Sequence, residues 1–137
     1  MFHYRKTHQQ YKSFPKPAVC SFCEDDLIGR SERMTEHVYV MPNRVSYDVW
    51  EMRNVVDHLL VIPRKHVTSL QELSDEAKLD IMNILGEYEA QGYNIYARGF
   101  GSGQRSVAHQ HTHLIKTHPK KARAVVALQK PYVLLKF

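Results

Sequence analysis

The stretch Ser106-Val-Ala-His-Gln-His-Thr-His-Leu-Ile115 sets a histidine at every second position, at 109, 111 and 113. In an extended strand alternate side chains share a face. Val107, His109, His111, His113 and Ile115 therefore line one side, and Ser106, Ala108, Gln110, Thr112 and Leu114 the other. Three imidazoles spaced roughly 7 Å apart along the chain gather three titratable groups in one place. With an ordinary pKa of about 6.5, histidine serves near neutrality as nucleophile, base, acid or metal ligand. Such a row can bind a transition metal, or it can attack and cradle a phosphate. Alternate residues of one flat strand diverge too little to surround a single ion, so a metal would need ligands from elsewhere in the chain.

Upstream, Gly99-Phe-Gly-Ser-Gly103 reads as a turn and Tyr93–Ala97 as a strand. The clearest helix spans Ser74 to Gln91. Ser74 suits the N-cap, Asp75 and Glu76 suit the positive end of the helix dipole, and Gly92 is a natural stop. Its apolar stripe is Ala77, Ile81, Ile84, Leu85 and Tyr88. His58–Ile62 is a nearly continuous apolar run closed by Pro63, the pattern of a strand covered on both faces. His37–Met41 reads as a strand stopped at Pro42-Asn43, and Val45–Trp50 as another, ending at the charged Glu51–Asn54. Residues 17–35 read as a loop-rich entry, Lys116–Arg123 as a solvated basic segment, and Tyr132–Phe137 as the last strand. Strands in series with one strong helix predict a single α+β domain with a mainly antiparallel sheet.

A length of 137 residues suits one domain, and 43% hydrophobic with 24% charged residues suits a buried core. No stretch reaches the run of about 18 apolar residues that crosses a membrane. Residues 1–16 are basic and aromatic without the apolar centre of a secretory signal. They are expected to be a short arm on the 17–137 domain, lying over it or flexible, in a cytoplasmic protein. The formal charge of +5 favours polyanions such as nucleotides and polyphosphates. Lys and Arg are scattered along the chain, so nucleic acid is not the expected partner. Cys20 and Cys23 stand alone, which argues for metal or redox chemistry over a disulfide framework. Their spacing lets both thiolates reach one tetrahedral ion, with histidines completing it.

Ser106–Ile115 resembles the motif of the histidine-triad (HIT) superfamily, where His-x-His-x-His precedes two apolar residues. His58-Leu-Leu-Val-Ile-Pro-Arg-Lys-His66 is similar to the strand those proteins place before their main helix, and Gly103–Val107 to their approach to the triad. The resemblance implies a HIT-like fold and a nucleotide hydrolase or nucleotidyl transferase acting at an α-phosphorus. His111 would be the nucleophile, forming a nucleotidyl-histidine. His113 would hold the phosphate and protonate the leaving group, with His58 across the pocket. Ser106, Gln104, Arg105 and the amides near Gly103 would contact phosphate, Asp48 the ribose, and Tyr47 and Trp50 the base. The resemblance further implies a structural zinc ion on Cys20, Cys23, His66 and His109, and a homodimer.

Three features depart from the family pattern. Gln110 and Thr112 stand where the positions between the histidines are usually apolar. Arg105 separates Gln104 from Ser106, and Lys116 replaces a common proline. Two alternatives accompany the hydrolase reading. One is a dinucleoside polyphosphate phosphorylase or nucleotidyl transferase with the same nucleophile, and the other a non-catalytic nucleotide-binding regulatory module.

Overall fold

The computed structural model describes residues 3, 5–14, 18–24, 26–123, 125–129 and 132–136. Helix α1 (Arg5–Ser13) precedes the short α2 (Leu27–Arg30). Strands β1 (Arg33–Met34), β2 (Val38–Pro42), β3 (Val49–Trp50) and β4 (Arg53–Pro63) follow. A 3₁₀ turn at Leu70–Glu72 leads into α3 (Asp75–Ala90), then β5 (Asn94–Tyr96), β6 (Thr112–Lys121), β7 (Val125–Gln129) and β8 (Tyr132–Lys136). The main sheet runs β1-β2-β4-β6-β5 with β3 folded onto β4, all pairs antiparallel, and β7 and β8 form a separate hairpin. This is the expected α+β architecture.

Helix α3 begins and ends where its sequence dictates. The Ser74 hydroxyl accepts from the Ala77 N–H, and past the end Gly92 takes a positive φ of 88°. Ala77, Ile81, Ile84 and Tyr88 are buried against Val38, Val40, Leu59, Val61 and Leu114 on one sheet face, with Leu85 packed beside them. Each such aliphatic side chain contributes about 1.5–3 kcal/mol by leaving water. The opposite face of β2 and β4 carries Met41, Leu60 and Ile62, covered by Leu27 of α2 with Phe22 and Tyr39 alongside. Strand β4 is thus sandwiched, as its unbroken apolar run predicts.

Three expectations need correction. Most of Val45–Trp50 is loop; only Val49 and Trp50 pair, with Asn54 and Arg53 of β4. Glu51 and Met52 form a two-residue hairpin turn with φ of 48° and 62°, a conformation usually signalled by Asn or Gly. The charged residues after them therefore begin β4. The histidine stretch is strand only from Thr112 onward; His109–His111 form its lead-in. Lys116–Arg123 is the solvated segment expected, and its residues to Lys121 also form the outer half of β6, where Val55 and Asp57 of β4 pair with Thr117 and Lys116 across two register shifts. Within the entry segment, α2 and β1 are ordered elements, and α1 occupies the N-terminal arm. Tyr132–Lys136 is the expected last strand; Phe137 lies outside the described residues.

The polar pair of the triad faces the helix side. Gln110 is 2% exposed; its N–H donates to the Val67 carbonyl and its side-chain amide to the Thr112 hydroxyl, while its Oε1 has no partner among the described residues.

Holding Glu51 and Met52 at positive φ costs about 1–2 kcal/mol per residue in the left-handed region. The double substitution Glu51→Asn/Met52→Gly is expected to raise stability by about 1–2 kcal/mol in urea unfolding. An unchanged or lower midpoint would reject the assignment of strain to this turn.

Candidate active site and metal cluster

The β4–β6 register brings the site together. His58 pairs with Ile115 and Leu60 with His113, so the two histidines are diagonal neighbours on one face. Their imidazoles meet with His58 Nε2 2.9 Å from His113 Nδ1. The Tyr47 N–H donates to His58 Nδ1 at 3.0 Å, and Asn43 Nδ2 lies 3.4 and 3.3 Å from the two ring nitrogens. Assigned from this network, the His58 proton sits on Nε2 and is donated to His113 Nδ1. The His113 proton is then on Nε2. His111 Nδ1 lies 2.8 Å from the His109 carbonyl, which can only accept, so His111 carries its proton there and its Nε2 holds the lone pair.

Burial lowers all three pKa values. His58 falls to about 4, with His3 adding to the effect, and His113 to about 3, with His58 adding to it. His111 is lowered by burial and then by Arg105 and Arg98, against the bond to His109. All three imidazoles are neutral near pH 7.

Around them stands an aromatic wall. Tyr47 stacks on Trp50 (centroids 6.0 Å apart) and lies 4.4 Å from His58 and 5.5 Å from His113. Tyr96 of β5 is 4.8 Å from Trp50 and 5.7 Å from His113. Arg98 packs over Tyr96 at 5.8 Å and donates to Gln104 Oε1 at 2.7 Å; burial raises the Tyr47 pKa, with the nearby Arg98 opposing the rise.

The second cluster joins Cys20, Cys23, His66 and His109, whose ligand atoms all lie within 4.8 Å of one another. Cys20 Sγ and Cys23 Sγ are 3.6 and 3.5 Å from His109 Nδ1, and Cys23 Sγ is 3.1 Å from His66 Nδ1. Ligands of a tetrahedral ion with bonds of about 2.0–2.3 Å lie about 3.5 Å apart. His109 Nε2 donates to the Pro63 carbonyl at 2.9 Å, which directs the Nδ1 lone pair at the thiols. The four residues can hold a metal ion. Phe22, between the cysteines, has its ring 6.0 Å from that of His109 and 5.1 Å from that of His111.

The remaining predicted residues are more dispersed. Arg105 donates to the carbonyls of Thr68, Arg98 and Ala108, so it grips the loop. Ser106 is exposed on that loop. Asp48 faces the N-terminal arm, accepting from Thr7 at 3.2 Å and lying 3.7 Å from His3 Nδ1. Asn43, Tyr96, Arg98 and Phe22 also border the site; of these only Phe22 carries a local sequence signal, its place inside Cys-x-x-Cys. A cleft of about 330 Å³ lined by Thr35, Glu36, His37, Glu76, Leu79, Asp80 and Asn83 lies on the helix side, away from these imidazoles.

An antiparallel sheet that receives His-x-His-x-His at the entry to an inner strand defines the histidine-triad class. The HIT domain family model matches residues 53–120, and the chain belongs to that superfamily. No curated protein matches it in sequence. Among solved structures, a HIT family hydrolase from Clostridium thermocellum superposes with a TM-score of 0.55 at 18% identity, covering 76% of this chain and 95% of that one. A hypothetical protein from Leishmania major gives 0.57 at 22%, covering 88% and 85%. A histidine triad nucleotide-binding protein from Candida albicans gives 0.52 at 19%, covering 83% and 86%. At these identities the likeness is one of fold.

In the unfolded chain His113 takes up a proton near pH 6.5, whereas in the fold it resists until about pH 3. Its contribution is intact above pH 6.5 and is lost progressively as the pH falls toward 3. His113→Gln is expected to flatten the fall in unfolding free energy between pH 6 and 4 by up to about 1.4 kcal/mol per pH unit, one proton's worth. Equal slopes for both proteins in denaturant titrations at each pH would contradict the neutral assignment.

Proposed function

We propose that the protein is a nucleotide hydrolase acting at the α-phosphorus of a nucleoside phosphate ester, anhydride or phosphoramidate. Proteins of similar fold include one described as a hydrolase and one as nucleotide-binding. The observation that carries the reading is the direction of the hydrogen bonds. His111 Nδ1–H is committed to the His109 carbonyl, which turns a neutral Nε2 lone pair outward, while the chain Tyr47–His58–His113 leaves a proton on His113 Nε2. A nucleophile and a hydrogen-bond donor thus stand on adjacent rings 5.1 Å apart.

In this mechanism the His111 Nε2 lone pair forms the bond to phosphorus. The bond to the leaving oxygen or nitrogen breaks, its electron pair stays with the leaving atom, and His113 Nε2–H donates a hydrogen bond to that atom, which takes any proton it needs from solvent water. Water then attacks the nucleotidyl-histidine, loses its proton to solvent, and releases the nucleoside monophosphate with His111 restored. Ser106, Gln104 and the amides near Gly103 stabilise the charge on the phosphoryl oxygens. Arg105 acts mainly by holding their loop. Asp48 serves the nucleoside end, beside Tyr47 and Trp50.

The cysteine–histidine cluster is proposed as a structural zinc site. Two thiolates and two imidazoles fill a tetrahedral zinc shell without an open position. When bound, the ion ties the Cys20–Cys23 loop to the end of β4 and the lead-in of β6. His109 then belongs to the metal, and His111 and His113 to the phosphate. A homodimer and a cytoplasmic location complete the proposal.

His111→Ala is expected to cut turnover by at least about 10³-fold while nucleotide binding and the circular dichroism spectrum persist. Turnover near wild type in that variant would sink the mechanism. Product identification with adenosine phosphoramidate and dinucleoside polyphosphates, with and without added phosphate, separates hydrolase from phosphorylase. Metal analysis of the purified protein is expected to find one zinc per chain, lost in Cys20→Ser/Cys23→Ser. Zinc that survives the double substitution would reject the site.

A further inference from the structure

We propose that Arg98 binds the anionic leaving group, so that the site favours substrates whose phosphates continue beyond the α-phosphorus over those that release a neutral amine. This rests on the hydrolase reading, and on the placement of one side chain. Arg98 stands two residues past the end of β5, and its guanidinium donates to Gln104 Oε1 (2.7 Å) and lies over the Tyr96 ring, near enough to the Tyr47 hydroxyl to favour its ionisation. Both aromatic rings flank His113, at 5.5 and 5.7 Å. The cation is therefore held beside His113, the ring proposed to hydrogen-bond the leaving atom. It is also fixed from behind. Its carbonyl accepts from Arg105 at 2.7 Å, and the same guanidinium grips Thr68 and Ala108, so the loop is preorganised around it.

The electrostatics agree with the geometry. The positive charge of Arg98 acts on both His111 and His113, and Arg105 adds to it at His111. A monophosphate ester or phosphoramidate presents its charge at the α-phosphoryl group alone. A nucleoside di- or polyphosphate extends its negative charge past His113, where a planar guanidinium can pair with two phosphate oxygens at once. As the α-phosphorus bond breaks, charge builds up on that departing phosphate, and a fixed cation stabilises it most at that moment.

The test compares Arg98→Gln with wild type on diadenosine tetraphosphate and adenosine phosphoramidate, which share the attacked phosphorus and differ in the leaving group. Loss of Arg98 is expected to lower kcat/KM for the tetraphosphate by about 10–100-fold and to change the phosphoramidate by less than threefold; Arg98→Lys should recover part of the loss. Equal losses on both substrates, as a purely loop-holding residue would give, overturn the proposal, as does no loss at all. A binding measurement separates this inference from the hydrolase reading. In magnesium-free buffer, Arg98→Gln should weaken adenosine triphosphate at least tenfold and adenosine monophosphate less than threefold. Selective weakening in a protein that turns over neither substrate would support the Arg98 contact while refuting the hydrolase, and uniform binding would refute the contact.

Discussion

Everything in the site hangs on the antiparallel pairing of β4 with β6. The pairing sets His58 opposite Ile115 and His113 opposite Leu60, and this offset lets two imidazoles from distant parts of the chain share a hydrogen bond. Side chains alternate along both strands, so the same register turns Leu59, Val61 and Leu114 toward α3. A slip by one residue would exchange the two faces and bury histidines under the helix. The apolar core and the active face are thus two readings of one set of backbone hydrogen bonds. Helix α3 covers one side and enforces the register; the cysteine loop and the aromatic wall shape the other.

The site keeps its histidines uncharged by enclosure. Burial leads among the causes lowering His58, His111 and His113, and the charge of Arg98 deepens it at His111 and His113. A protonated imidazole has little use as a nucleophile, so desolvation here works in the same direction as the proposed chemistry. Because the rings are neutral, their tautomers matter, and each is fixed by a backbone group: the Tyr47 amide at one end and the His109 carbonyl at the other. Those backbone groups belong to a loop and a strand lead-in, neither of which repeats a regular ladder. That irregularity frees them to address side chains.

Much of this was legible before any coordinates. Helix α3 announced itself by its cap, its stripe and its stopping glycine, and the sandwiched strand by its unbroken apolar run, because those signals report local geometry and burial directly. The alternation at 109, 111 and 113 put three imidazoles on one side even though regular pairing starts only at Thr112. The hairpin at Glu51-Met52 was hidden, since its positive φ values are imposed by the strands it joins and not by its own residues. The length of β6 was hidden by lysines and a proline that a solvent-facing strand tolerates. Arg98, Tyr96 and Asn43 gave no local sign at all. Their place beside the histidines exists only after strands far apart in sequence have paired.

Phe22 ties the durability of the two clusters together. Its ring packs on both His109 and His111, and its backbone is carried by the two cysteines. Exposed thiols are the residues most open to chemical ageing, and Cys23 is exposed. Oxidation there would enlarge the sulfur, destroy its capacity as a ligand and shift the loop that presents Phe22. The wall against which His111 rests would go with it. A lesion at an atom with no part in bond making would therefore reach the nucleophile through one phenyl ring.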